Sequence, residues 1–245
     1  MIKISSTETR RWRQWAESLA VFVRYNAGLI FAGRFVYFLF LAAALFLTTV
    51  IIYTVEENTP PGIEDVYYFL LAPGVFLVFY PAVYSIQSDA DAEMIETLFG
   101  IPDYRYKVWL VRMVVQFLVV AALLTTLALF CRLTLADFPV LSMIYQLMYP
   151  IVFIGCFSFM LATLIRNGNG TAAVMVVFLL IVWMAFEPLN GTRWNLFHNP
   201  FEEVEAFRVL LWEEITLYNR IILISASILS LLMALLQLQK REKFI

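Results

Sequence analysis

The 245-residue sequence has few cysteines, few histidines and little charge, and each shortage excludes a class of function. There are two cysteines, one histidine and 15% charged residues. Cys131 and Cys156 lie in or beside apolar runs, where thiols usually act as small hydrophobes, so we expect no disulfide framework or metal site. The single His198 has no partner for a metal centre and is expected near the outer surface in a structural role. A net charge of −2 offers no basic face for nucleic acid.

Long apolar runs are what the sequence has in abundance. Hydrophobic residues make up 62% of the chain and the mean hydropathy is +0.80, whereas soluble domains are roughly 45–50% apolar. A helix needs about 20 apolar residues to cross a bilayer. We therefore predict an all-α integral membrane protein whose membrane domain, residues 35–245, has six transmembrane helices. The predicted spans are 35–55, 66–86, 108–130, 140–165, 171–186 and 221–238.

The distribution of basic residues predicts the orientation of these spans. With the N-terminus inside, thirteen of the 17 lysines and arginines lie on the inner side. The four outside are Arg132, Arg193, Arg208 and Arg220. Because basic residues accumulate in cytoplasmic loops, we expect both termini in the cytoplasm and a location in the cytoplasmic (inner) membrane. The first apolar run begins only near Phe35, after an arginine-bearing segment, so we expect its helix to be retained.

Residues 1–34 are predicted to form an amphipathic helix in the cytoplasmic interface. Ser5 and Glu8 have capping-box spacing, and Trp12, Trp15 and Leu19 recur at helical intervals opposite an arginine-rich face. Tryptophan and arginine on opposite faces are typical of an interfacial helix. A soluble helix packed on a partner is the alternative.

The segment between the second and third spans, 88–107, is predicted to contain a short cytoplasmic helix. Ser88 can cap it, and Asp89, Asp91 and Glu93 suit its positive end. Met94, Ile95 and Leu98 supply an apolar face before Gly100 and Pro102 end the helix. Such a helix, with its charges exposed, can dock a soluble partner. A solvated loop is the alternative.

Within this segment, the run from Glu96 to Arg105 resembles a motif of type-2 ABC transporter permeases, the superfamily of drug, polysaccharide and O-antigen exporters. The shared features are a glutamate, a spaced leucine, a proline and an arginine, although Met94-Ile95 lies where a Gly-Thr pair is common. The resemblance implies that the segment couples to an ABC ATPase. The coupling residues implied are Asp89, Asp91, Glu93, Glu96, Leu98, Pro102 and Arg105.

A second resemblance follows the fifth predicted span, where Asn199-Pro200 and a Glu-Ala-Phe-Arg run are similar to segments of the same family. Asn199 is a good N-cap and Pro200 suits the first helical position. We predict an outside amphipathic helix, and the resemblance implies a re-entrant helix at the exit of the translocation path. A plain interfacial anchor is the alternative. The apolar face is predicted to contain Phe201, Val204, Phe207 and Leu211.

The source of energy is predicted to lie outside this chain. Ionisable residues are scarce in the spans, and Arg112 and Arg220 are expected to snorkel from span ends. The run Asn167-Gly168-Asn169-Gly170 lacks the lysine of a phosphate-binding loop. We therefore expect no enzyme activity and no bound cofactor here, with ATP and Mg²⁺ on two copies of a partner ATPase.

These expectations describe one exporter subunit, paired with a second permease that is identical or homologous. The cargo is expected to be amphipathic or lipidic. A non-transporting membrane scaffold or assembly factor is the main alternative. An ion-coupled carrier or channel is a further alternative, and the lack of intramembrane charge argues against it.

Overall fold

The computed structural model describes residues 35–56, 60–91 and 105–239, which form helices and no β-strand. Five of the helices are long and apolar enough to cross a membrane. They are α1 (Phe35–Glu56), α2 (Ile63–Val83), α4 (Val111–Thr134), α5 (Val140–Ile165) and α8 (Val209–Gln237). The shorter elements are α3 (Ser85–Asp91), a π-helical turn (Arg105–Leu110) that leads into α4, α6 (Gly168–Met184), α7 (Phe186–Leu189) and a 3-10 turn (Ala206–Arg208).

The all-helical fold predicted from the sequence is confirmed, whereas the count of six crossings stays a prediction. Helix α6 has 17 residues, a rise of about 26 Å against a hydrocarbon core about 30 Å thick. The predicted interfacial helix within 1–34 lies outside the described residues.

Successive helices reverse direction, so the connecting segments collect at two ends of the bundle. One end, here the connector end, holds α3, the π-helical turn and the α5–α6 junction. The opposite end, the loop end, holds the start of α2, the α4–α5 turn and residues 185–208. Helices α5 and α8 both run from the loop end to the connector end, because Gln146 bonds Arg220 near their starts and Phe159 clusters with Leu235 near their ends.

Helix α2 is the centre of the bundle. In its apolar window 67% of the residues are buried, against 11% in α1. Two glycines let neighbouring helices approach closely. A Cβ on Gly74 would lie 2.5 Å from the Cδ1 of Ile151, and one on Gly155 would lie 2.6 Å from the ring of Phe117. Small residues at such contacts favour helix packing in lipid, where burial of apolar surface alone gives no advantage.

The last long helix differs from the prediction. It begins at Val209 and has 29 residues, and residues 202–205 before it have no regular structure. A separate outside helix starting at Asn199 is therefore wrong. The segment 209–220, which was predicted to precede the last span, is the first part of the same continuous helix.

Candidate functional site

The first candidate region is the start of the segment that connects α2 to α4. Helix α2 ends at Val83, Tyr84 follows it as the C-cap, and α3 begins at Ser85. The hydroxyl of Ser85 donates to the carbonyl of Ala82 at 2.9 Å. Ser88 lies inside α3, where its hydroxyl donates to the Ser85 carbonyl at 3.1 Å. The prediction that Ser88 caps this helix is therefore wrong, because the chain re-enters a helix one turn earlier.

A buried ion pair joins this segment to the next long helix. Nη1 of Arg112 donates to Oδ2 of Asp89 at 2.7 Å, and both side chains are about nine-tenths buried. The Arg112 guanidinium also lies 5.0 Å from the centre of the Trp109 ring. Snorkelling of Arg112 is thus wrong, and so is an exposed Asp89. The carboxylate offsets the cost of burying the guanidinium.

The other residues predicted to couple to a partner are only partly within the described chain. Asp91 is exposed at the end of α3, and Arg105 is the first residue of the π-helical turn. Glu93, Glu96, Leu98 and Pro102 lie outside the described residues. The buried ion pair that Arg112 forms in this region was not predicted from the sequence. Its partner lies 23 positions away, so no local spacing rule could identify the pair.

Side chains of α2 and α3 also hold the α5–α6 turn at the connector end. The Tyr84 hydroxyl donates to Oδ1 of Asn169 at 3.0 Å, and the Gly168 N–H donates to Oε1 of Gln87 at 2.6 Å. Asn167 caps α6 by accepting from the Gly170 N–H at 2.9 Å. The glycine-rich run thus serves as a tight helix-to-helix turn.

The second candidate region is a buried polar cluster at the loop end, centred on Arg220. The guanidinium donates to Oε1 of Gln146 at 2.9 Å, to Oδ1 of Asn219 at 3.0 Å and to the carbonyl of His198 at 3.3 Å. Its carbon lies 5.2 Å from the centre of the Tyr149 ring. Arg220 is 5% exposed. Snorkelling is wrong here too, because α8 continues on both sides of Arg220 and the side chain points into the protein.

Two buried asparagines hold the irregular backbone around this cluster. Nδ2 of Asn219 donates to the carbonyls of Arg193 and Asn195 at 3.1 and 2.8 Å. Nδ2 of Asn199 donates to the carbonyl of Glu64 at 3.0 Å, and its Oδ1 accepts from the Phe201 N–H at 3.0 Å. Asn199 therefore bridges to α2 and forms a turn, and it does not cap a helix.

The residues predicted to share an exit-side face are not on one face. The Phe201 ring is half-buried, with its centre 6.2 Å from that of Tyr67. Phe207 and Leu211 are 76% and 55% exposed. Val204 lies in the segment without regular structure, so the helical spacing on which the prediction depended is not formed.

His198 is buried beneath these loops. Its Nε2 lies 2.7 Å from Oγ1 of Thr216, and its ring centre is 4.7 Å from that of Trp212. Burial, and then the nearby Arg220, lower the pKa of the imidazole to about 4. The ring is therefore neutral at neutral pH. Within the described residues it belongs to no group of side chains that could hold a metal ion.

Carboxylates surround the outer part of the same region. Oε2 of Glu64 accepts from the Glu203 N–H at 3.1 Å, and Oδ2 of Asp65 accepts from the Tyr53 hydroxyl at 2.8 Å. Burial and the charge of Glu64 raise the pKa of Glu202. The loop end therefore has a cationic centre and an acidic rim.

Comparison with known proteins adds no relative to this description. No family model matches the chain, and neither a curated protein nor a solved structure matches it. The contacts at the two ends of the bundle, with the five long apolar helices that indicate a multi-pass membrane protein, are therefore the observations on which a function can be argued.

Proposed function

We propose that this chain is the transmembrane permease subunit of an ATP-binding-cassette exporter. It would move an amphipathic or lipidic substrate across the cytoplasmic membrane, using ATP hydrolysed by two copies of a separate subunit. A second permease, identical or homologous, would complete the assembly. The run from Glu96 to Arg105 supports this identity by its resemblance to the coupling segment of type-2 permeases.

The observation that carries the proposal is the Asp89–Arg112 ion pair. Asp89 lies just before the segment 92–104 and Arg112 lies just after it, in the first turn of α4. The pair therefore tethers the two ends of this segment to each other inside the bundle. A partner that displaces a tethered segment moves the attached helices, whereas a loose loop would absorb the displacement.

The tether also reaches a third helix. The Trp109 ring, beside Arg112, lies 5.8 Å from the ring of Phe159 in α5. Met113 and Ile86 are buried in the same apolar cluster. Movement of the segment would thus reach α3, α4 and α5 together, as coupling of ATP hydrolysis to helix movement requires.

The placement of charge supports an external energy source. In the described long helices the carboxylates lie near the helix ends, as Glu64 and Asp65 in α2 and Glu213 and Glu214 in α8. Ion-coupled transporters normally carry ionisable groups near the middle of the membrane. The absence of a carboxylate from the middle of the described long helices therefore supports a subunit driven by a partner.

The test is purification of the C-terminally tagged chain from its native host in mild detergent. We expect an ATPase with a phosphate-binding loop to accompany it in stoichiometric amount. Glu96→Ala with Arg105→Ala should abolish this association. The matched control is Arg132→Ala with Asp137→Ala, which removes an exposed ion pair of 2.9 Å at the loop end and should leave the association unchanged.

Two results would contradict the exporter. If the folded chain purifies without any ATPase, the scaffold or assembly factor takes its place. If the ATPase is retained equally in both double variants, the segment from Glu96 to Arg105 is not the coupling site.

A further inference from the structure

The chain contains three Asn–Gly pairs, a dipeptide in which the backbone can attack a side chain. They are Asn167-Gly168, Asn169-Gly170 and Asn190-Gly191. The glycine nitrogen is free to approach the carboxamide carbon of the preceding asparagine, because glycine has no Cβ to hinder it. All three asparagines are exposed, so access to water does not distinguish them. The hydrogen bond that each glycine N–H makes does.

Two of the pairs are held by hydrogen bonds that oppose this attack. The Gly168 N–H donates to Oε1 of Gln87 at 2.6 Å. A Cβ on Gly168 would lie 2.4 Å from the ring of Tyr84, so this backbone is packed tightly against its neighbours. The Gly170 N–H lies in the first turn of α6 and donates to Oδ1 of Asn167 at 2.9 Å. Each nitrogen is therefore directed away from the carboxamide that it would attack.

The third pair has the opposite arrangement. Asn190 follows α7 with extended backbone angles, φ −59° and ψ 139°. Gly191 has a φ of +69°, which glycine adopts without strain. The Gly191 N–H donates to Oδ1 of Asn190 at 2.9 Å. Because Oδ1 is bonded to Cγ, the nitrogen already lies beside the carbon that it would attack, and reacting groups held in contact lose less entropy on reaching the transition state.

We propose that Asn190 is a site of spontaneous deamidation. The Gly191 nitrogen loses its proton to solvent base and forms a bond to Cγ of Asn190. The Cγ–Nδ2 bond breaks, and Nδ2 takes up a proton and leaves as ammonia. Water then hydrolyses either carbonyl of the resulting succinimide ring, which gives aspartate or isoaspartate. The loop end thereby gains a negative charge.

The new charge faces carboxylates. Asn190 lines a cavity of about 320 Å³ together with Glu64 and Glu202. Burial and the charge of Glu64 raise the pKa of Glu202, and a hydrogen bond from the Asn190 side chain opposes that rise. Deamidation replaces this contact of an amide with a carboxylate by a contact of two carboxylates. Their repulsion weakens the turn that follows α7. The reaction needs no ATPase, so its test is independent of the exporter proposal.

The experiment incubates the full-length chain, folded in mild detergent, in mildly alkaline buffer and follows each Asn–Gly pair by peptide mass spectrometry. We expect Asn190 to convert about tenfold faster than Asn167 or Asn169, because the hydrogen bond that holds each of their glycine nitrogens must break first. Isoaspartate, identified by fragmentation, marks the succinimide route. Asn190→Gln should yield no isoaspartate, since its longer side chain does not form the same ring.

The same chain unfolded in denaturant is the control for the sequence itself. Asn169-Gly170 and Asn190-Gly191 are both followed by threonine, so their local chemistry is matched. In denaturant these two pairs should convert at nearly equal rates, because the hydrogen bonds of the folded chain are lost.

A second variant tests the consequence of the reaction. Asn190→Asp carries the charge of the product and should lower the melting temperature by about 2–4 °C, the shift expected of a modest destabilisation in a chain of this size. Asn190→Gln is the matched control. It keeps the amide and should melt as the unmodified chain does.

Several results would overturn the proposal. Equal conversion of the three pairs in the folded chain would show that the fold does not select Asn190. A preference for Asn190 that persists in denaturant would assign the selection to the local sequence. Conversion without isoaspartate would exclude attack by the Gly191 nitrogen. Unchanged melting of Asn190→Asp would show that the new charge does not weaken the turn.

Discussion

The two ends of the bundle bury arginine in opposite ways. At the connector end, Arg112 is paired at 2.7 Å with Asp89, and the two charges cancel within the protein. At the loop end, Arg220 is surrounded by a side-chain amide oxygen from each of Gln146 and Asn219 and by the His198 carbonyl. The first arrangement joins α3 to α4 by an ion pair in which each charge compensates the other. The second arrangement satisfies the hydrogen bonds of the guanidinium with neutral oxygens and places no carboxylate beside it among the described residues.

The difference follows from the backbone at each end. Around Arg112 the chain is helical, so its peptide groups are satisfied locally and a side-chain pair suffices. Residues 190–205 are mostly turns, and their carbonyls need donors from side chains. Asn219 donates to the carbonyls of Arg193 and Asn195, and Arg220 donates to the carbonyl of His198. The loop end is therefore held by a network in which neutral acceptors predominate.

The largest effect is expected from breaking the ion pair. Arg112→Met leaves Asp89 buried without its cation and should lower the free energy of unfolding by about 3–5 kcal/mol. The double variant Asp89→Leu with Arg112→Met should recover most of this loss, since an apolar pair replaces both charges. Denaturant unfolding in detergent micelles measures the difference. Equal losses of unfolding free energy in the single and double variants would mean that Asp89 and Arg112 do not stabilise each other.

A smaller effect is expected at the loop end from Asn219→Ala. The change removes the donor to the carbonyls of Arg193 and Asn195 and the acceptor for Arg220. We expect a loss of about 2 kcal/mol, since a buried group left without its partner costs about 1–3 kcal/mol. Asn190→Ala in the same loop is the control, because Asn190 is exposed, and its effect should be within about 0.5 kcal/mol. The same denaturant unfolding applies, and similar losses in both variants would contradict a buried network.

The third effect is a pH dependence due to His198 at the loop end, and it is the smallest for each pH unit. The pKa of His198 is lowered from 6.5 to about 4 in the folded chain, so between these values the unfolded chain binds the additional proton. The free energy of unfolding should then fall as pH decreases from 6.5 to 4, by about 1 kcal/mol per pH unit. His198→Gln should remove this slope in melting experiments across that range.

The raised pKa of Glu202 changes the free energy of unfolding with pH in the opposite direction to His198. The comparison with His198→Gln is therefore needed to separate the two contributions. A carboxyl group with a raised pKa favours the folded state at low pH and loses that contribution as pH rises. Subtracting the two pH profiles isolates the imidazole. Parallel profiles for the unmodified chain and His198→Gln would show that the ring titrates normally.

The long apolar helices were predictable because the membrane leaves little choice of structure. An apolar run of about 20 residues must satisfy its peptide groups internally, and a helix does so. The predicted span 140–165 agrees in both bounds with α5. The start of α8 was missed because Glu213, Glu214 and Arg220 lower the hydropathy of its first turns, and because Asn199-Pro200 has the appearance of a helix start.

That false start shows where local rules fail. Asn199 has the chemistry of an N-cap, but its amide donates to the carbonyl of Glu64, 135 residues away. When a side chain has several possible hydrogen-bond partners, the one that it bonds depends on which groups lie nearest in space. The sequence does not reveal those groups. The same holds for Ser88, whose capping position depended on where α2 ended.

By itself, the sequence determined that the chain is helical and membrane-embedded, since apolar length alone imposes that outcome. Only the tertiary structure decided which charges are buried and what balances them. Arg112 and Arg220 have similar apolar surroundings along the chain. The packing of α3 brings a carboxylate to Arg112, whereas α5 and the turns at the loop end bring only neutral oxygens to Arg220. Charge pairing requires two distant segments to meet, and packing determines which segments do.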